Sequence, residues 1–165
     1  MTRKTFFSFY YKEDNRRAPQ VRNMGAIEGN SPVSDNDWET VTKGGDKAIE
    51  KWIDEQMSRR SCVMVLVGSN TAGRKWIKHE IQKAWDDKKG LLGIYIHGLQ
   101  DKNERVSTKG SNPFTAFTVG KDKKPLETIV KRHDPGCTTS KGTYNHIRDK
   151  LAEWVEEAIK VRADY

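Results

Sequence analysis

Six consecutive apolar residues, Cys62-Val63-Met64-Val65-Leu66-Val67, narrow the possible folds of this chain more than any other feature. The run is far short of the roughly 20 residues that cross a bilayer. It shows no polar alternation, so it predicts a strand buried on both faces, as in a parallel sheet with helices on either side. Amphipathic segments flank it. Asp46–Met57 places Ile49, Trp52, Ile53 and Met57 on one helical face, with Asp46 as the cap. The polar loop Gly68–Gly73 leads into a second helix, Lys75–Lys88, with Ile77, Ile81, Ala84 and Trp85 inward and Gly90 as its stop. Leu91–Ile96 predicts another buried strand.

Thr5–Tyr10, aromatic and β-rich, predicts the first strand, and Lys12–Arg17 the loop after it. A helix is expected at Pro19–Asn23, because proline suits a first turn. Ala26-Ile27 is the expected second strand. His97–Lys124 reads as a long irregular stretch, which in compact domains is usually functional. Thr128–Lys131 is the expected last strand. A final helix, Tyr144–Val161, buries Ile147, Leu151, Trp154, Val155 and Ala158. This order predicts one α/β domain over residues 1–165, a parallel sheet with helices on both faces. Ligands of such sheets bind beyond the strands' carboxyl ends, where strand order reverses. Here that edge carries Ser8–Arg17, Gly68–Arg74 and His97 onward, three loops expected to face one crevice.

Composition bounds the partners. The net charge of +7 suits either nucleic acid or an anionic nucleotide. The basic residues are spread along the chain among acids, and the densest cluster, Lys121-Asp122-Lys123-Lys124, reads as a solvated loop. No nucleic-acid or membrane partner is expected. The N-terminus lacks a secretory-type apolar stretch, so a cytoplasmic location is expected. Cys62 reads as a buried thiol and Cys137 as a loop residue, and the four histidines are scattered, so neither a disulfide nor a metal site is expected.

Chemistry concentrates at Gly68–Glu80. Trp76 and Glu80, four apart, lie on one helical face, about 100° from the Ile77/Ile81 stripe. A large π-surface beside a carboxylate suits a planar, positively charged heterocycle attached to a sugar. Taken alone, the pair reads more often as a packing Trp beside a Glu that pairs with a lysine.

Several motifs stand in order around that pair: Phe-Phe-Ser-Phe-Tyr-Tyr at Phe6–Tyr11, Val-Arg-Asn at Val21–Asn23, Trp38-Glu39, Gly68-Ser69, Arg74-Lys75-Trp76 with Glu80, and Lys-Gly-Ser-Asn-Pro-Phe at Lys109–Phe114. Over about residues 4–115 the chain resembles the TIR domain family, and within it the TIR-like ThsB proteins of the bacterial Thoeris anti-phage system. The resemblance implies a flavodoxin-like fold and a catalytic role for Glu80. It implies NAD as substrate, with no separate cofactor. Ser8, Phe9, Asn70 and Trp76 would contact NAD, and Asn15–Arg17 would approach its pyrophosphate. It further implies a cyclic ADP-ribose isomer as product, activating an effector protein, with a phage-derived trigger and Lys109–Phe114 as a lid. Two departures stand out. The Arg-Asp-x-x-Pro-Gly signature of eukaryotic TIR adaptors is replaced by residues Ile27–Trp38, and Ile77 stands where many TIR domains have cysteine. Three other readings stay open. A pure adaptor would not need Glu80. A plain NAD hydrolase would deplete NAD. A receiver-like nucleotide-binding regulator would call for an acidic cluster after strand one, where this chain offers only Glu13 and Asp14 and no phosphate-cradling glycine loop.

Overall fold

The computed structural model describes residues 3–25, 27–29 and 41–165. Ala26 and the Trp38-Glu39 dipeptide lie outside the described residues, as does most of the segment Ile27–Trp38. Cys62–Val67 forms β3, every residue of it buried. Its neighbours are β1 (Lys4–Ser8) and β4 (Gly90–Tyr95), both parallel to it, in register Thr5↔Cys62 and Cys62↔Gly90. Two-residue strands close the edges: β2 (Glu28–Gly29) beside β1 and β7 (Arg132–His133) beside β4. The order is β2-β1-β3-β4-β7, so the strand order reverses between β1 and β3.

Alternate side chains of the sheet feed two cores. Phe7, Met64, Leu66, Leu92 and Ile94 pack on one face against Ile147, Leu151 and Val155 of the C-terminal helix α5 (Ser140–Ala163). Phe6, Val63, Val65, Val67 and Leu91 pack on the other. There they meet Ile49, Ile53 and Met57 of α3 (Asp46–Met57), and Ile77, Ile81 and Ala84 of α4 (Lys75–Asp86). Two short helices, α1 (Tyr11–Asp14) and α2 (Ala18–Arg22), follow β1. A small antiparallel hairpin, β5 (Thr118–Val119) with β6 (Lys124–Pro125), stands apart from the sheet.

Several boundaries differ from the sequence reading. β1 ends at Ser8, not Tyr10, because the Tyr10 carbonyl accepts from Asp14 N at 2.9 Å and starts a helical turn where a loop was expected. The second strand lies just beyond Ala26-Ile27, and Ile27 is a buried residue leading into it. Gly45, not Asp46, holds the cap position of α3. Asp46 is its first helical residue, and its carboxylate pairs with Lys75. Gly90 does not stop α4. Lys88 takes the left-handed turn at φ 58°, and Gly90 opens β4 because a Cβ there would lie 2.8 Å from Ile159 N of α5. Thr128–Lys131 is not a strand: a 3₁₀ turn covers Leu126–Thr128, Ile129 and Val130 are buried, and pairing with β4 begins only at Arg132. The final helix starts earlier than expected because Thr139 caps it, its side chain accepting from Gly142 N at 3.0 Å.

Candidate active site

The loop after β3 is set by its own polar groups. Thr71 is fully buried and accepts from Gly68 N at 2.8 Å. Arg74 stays extended, and α4 begins at Lys75. Helical spacing then puts Glu80 beside the Ile77/Ile81 stripe, facing the carboxyl end of β1. Its Oε1 accepts from Ser8 Oγ at 2.9 Å. No cation among the described residues pairs with it. Glu80 is 6% exposed, and burial, only partly countered by the Ser8 hydrogen bond, pushes its pKa up to about 8. A glutamate on a solvated helix face would have paired with a lysine. This one is held inside, uncompensated, where an arriving positive charge would stabilise its ionised form.

Glu80 forms part of the wall of a cavity of about 690 Å³. Phe6, Phe9, Tyr10, Trp52, Ile53 and Ile77 give it mainly apolar walls, while Lys12, Arg22, Arg74 and Lys75 bring positive charge to it. The Arg74 guanidinium lies 3.9 Å over the Tyr10 ring. Trp76 is half-buried in the same wall, with the Lys75 ammonium 4.9 Å over its ring and its edge against His79. Aromatic walls, cations and one buried carboxyl together suit a dinucleotide with a cationic ring: π-surfaces for the rings, cations for the phosphates, the carboxyl for the positive centre.

The structure thus brings Phe9, Trp76 and Glu80 to one cavity, with Ser8 behind Glu80 as its hydrogen-bond donor rather than on the cavity surface. Asn70 is elsewhere. Its Nδ2 donates to both carboxylate oxygens of Glu13 at 2.8 and 3.0 Å, in a separate groove formed by the three loops expected to share one crevice. Among the described residues, only Lys12 and Asn15 border both spaces. Of the Asn15–Arg17 loop, Asn15 reaches the cavity. Arg17 is buried in an ion pair with Asp14 at 3.1 Å and is structural. Sequence reasoning missed Tyr10 and Trp52 as wall residues. Tyr10 reads as strand until β1 is seen to end at Ser8, and Trp52 reads as core because it sits at the margin of the α3 stripe.

The stretch Lys109–Phe114 does not border the cavity. Lys109 pairs with Asp134 at 2.9 Å, and Asn112 accepts from Phe114 N at 2.9 Å. Phe114 is fully buried, with its ring against Gly93 of β4. Gly110 rests on the Gly68 backbone, where a Cβ would lie 2.0 Å from the Gly68 carbonyl oxygen. These contacts make a strap, not a lid. Gly110→Ala forces backbone against backbone, a clash no rotamer relieves, and should cost about 1–3 kcal/mol, lowering Tm by about 5 °C. Thermal melts check this. An unchanged Tm with altered catalysis would restore the lid.

A parallel sheet of this order, with a buried glutamate on the helix after its central strand, defines a flavodoxin-like α/β domain of the TIR type. Residues 6–101 match the family model described as "Thoeris protein ThsB, TIR-like domain", more than half of the chain, and the chain belongs to that family. It is similar to a protein of Bacillus cereus (strain MSX-D12) named "Putative cyclic ADP-D-ribose synthase ThsB1", with 32% identity over 119 residues. That match covers 69% of this chain and 62% of the relative's own length. No helix among the described residues is long and apolar enough to cross a membrane.

Proposed function

We propose that the chain cleaves the nicotinamide–ribose bond of NAD and closes the remaining ADP-ribose into a cyclic nucleotide that activates an effector protein in anti-phage defence. The observation that carries this reading is the buried, cation-free Glu80 carboxyl on the wall of an aromatic, basic-rimmed cavity. The name of the Bacillus cereus relative supports the same chemistry.

The C1′–N bond breaks with its electron pair moving to the pyridinium nitrogen, so nicotinamide leaves neutral and needs no proton. The ribose becomes oxocarbenium-like, as in glycoside cleavage. Glu80 ionises as the cationic substrate enters and sets its carboxylate against the developing charge. Ser8 holds that carboxyl in one orientation, Trp76 walls the ribose, and Arg74 and Lys75 face the diphosphate. A nucleophilic atom of the adenosine half then bonds to C1′, with release of one proton. Closure rather than hydrolysis requires that water be kept out, and the apolar walls around Phe6, Phe9 and Ile53 serve that purpose. A buried glutamate with no structural ion pair gives an adaptor no advantage, which sets the adaptor reading behind.

A signalling cyclase that ran constantly would drain the cell, so turnover is expected to be low until infection supplies a trigger. Nucleotides extracted from phage-infected cells expressing the chain should contain, by mass spectrometry, a species one water lighter than ADP-ribose. Linear ADP-ribose as the dominant product would make the protein a plain hydrolase. Extracts indistinguishable from those of Glu80→Gln cells would remove the enzyme reading altogether.

A further inference from the structure

In sheets of this order, ligands sit beyond the strand ends where the order reverses. Here that point lies between β1 and β3, and two spaces open beside it. One is the Glu80 cavity next to the end of β1, and the other is a groove of about 580 Å³ walled by the loop after β1, the loop after β3 and the loop that follows β4. Four cations border this groove, Lys12, Arg16, Lys102 and Arg105, and none makes a close side-chain salt bridge among the described residues, although the Arg105 charge acts on Asp101 at longer range. The acids in the same wall are already satisfied. Both oxygens of Glu13 take the Asn70 amide. Asp101 Oδ1 accepts from Asn103 N at 2.8 Å and Arg105 N at 3.1 Å, while its Oδ2 faces Arg17 at 3.9 Å. Ser107, also in the wall, has a buried hydroxyl with no hydrogen-bond partner among the described residues.

Surplus positive charge, acids turned to structural partners and a nearby hydroxyl suit an anionic ligand. The groove is not a loose surface patch, because its walls are tied together. Arg17 donates to the carbonyls of Leu99 and Arg105 at 2.8 and 3.0 Å, and Ser69 Oγ donates to Thr108 O at 2.6 Å. The geometry points to a second ligand site here, one that takes the phosphate groups of a small molecule and is separate from the Glu80 cavity. Lys12 and Asn15 form the partition between the two spaces, so an anion that draws Lys12 into the groove withdraws it from the cavity rim. Occupancy of the groove therefore bears on how the cavity holds its own ligand. The assignment makes no use of Glu80 chemistry.

The test is a titration of the whole chain with inorganic pyrophosphate, read by backbone amide NMR shifts and by calorimetry. Shifts should centre on Ser69, Ser107 and Thr108. Lys102→Glu with Arg105→Glu, both on exposed side chains, should weaken binding by about 10-fold or more and leave the thermal midpoint unchanged. Glu80→Gln should bind pyrophosphate as the parent chain does, which separates this outcome from any failure of the NAD-cleaving reading. An absence of binding at millimolar pyrophosphate overturns the proposal. So do shifts centred on Trp76 and Phe9, or an affinity that the double variant does not change.

Discussion

Glu80→Gln should lower nicotinamide release by about 10²- to 10⁴-fold, the range over which a positioned carboxylate contributes to such reactions. The substitution is nearly isosteric, so the aromatic walls stay in place and substrate binding should change far less than turnover. Its second signature is thermal. Glu80 ionises near 4.5 in an unfolded chain and near 8 in the folded one. Between those values the folded state holds the extra proton, so the parent protein loses stability as pH rises through that window and levels off above it. The penalty is on the order of a few kcal/mol at alkaline pH. Gln carries no such titration. Melting curves of the two proteins should therefore differ by a constant offset below pH 4.5, and the variant should gain steadily between there and pH 8. Parallel curves across that range would mean that Glu80 is not buried as described. Full activity in a folded Glu80→Gln protein would end its catalytic assignment.

Arg17→Met is expected to have the largest effect on the fold, about 3–5 kcal/mol. Asp14 is 1% exposed and lies against Gly68, and one carboxylate oxygen has no partner among the described residues while the other is on Arg17 at 3.1 Å. Burial already raises the Asp14 pKa, and the Arg17 guanidinium works against that rise. With Arg17 gone, the carboxylate is stranded and its pKa climbs further. Stability is then lost as pH rises through and above the ordinary carboxylate range. The Leu99 and Arg105 carbonyls lose their donor as well, which loosens the loop after β4. Denaturant unfolding across pH checks both parts. Asp14→Asn added to Arg17→Met removes the stranded charge and should recover much of the loss. A single variant within about 1 kcal/mol of the parent would show that the pair carries little weight.

The central elements were legible in the amino-acid order because their signals are local. Cys62–Val67 and Asp46–Met57 match their expected bounds to the residue, and the buried stripe Ile147, Leu151, Trp154, Val155 and Ala158 follows from helical period alone. The motif order around Trp76 and Glu80 pointed to the family, and the single helical turn between them placed both on one cavity. The edges of the sheet were not legible. β2 and β7 are two residues long and exist because a neighbouring strand offers a ladder, so neither has a period to read. The state of Glu80 also lay beyond the local sequence. It depends on Ser8, 72 positions earlier, which donates a hydrogen bond to it, while no cation among the described residues reaches it. Likewise Asn70 and Arg17, polar loop residues by sequence, were drawn away from the cavity by Glu13 and Asp14. Local order sets which residues can form a helix or strand. Which polar group is buried, and what it faces there, is decided by partners that only the folded chain brings within hydrogen-bond reach.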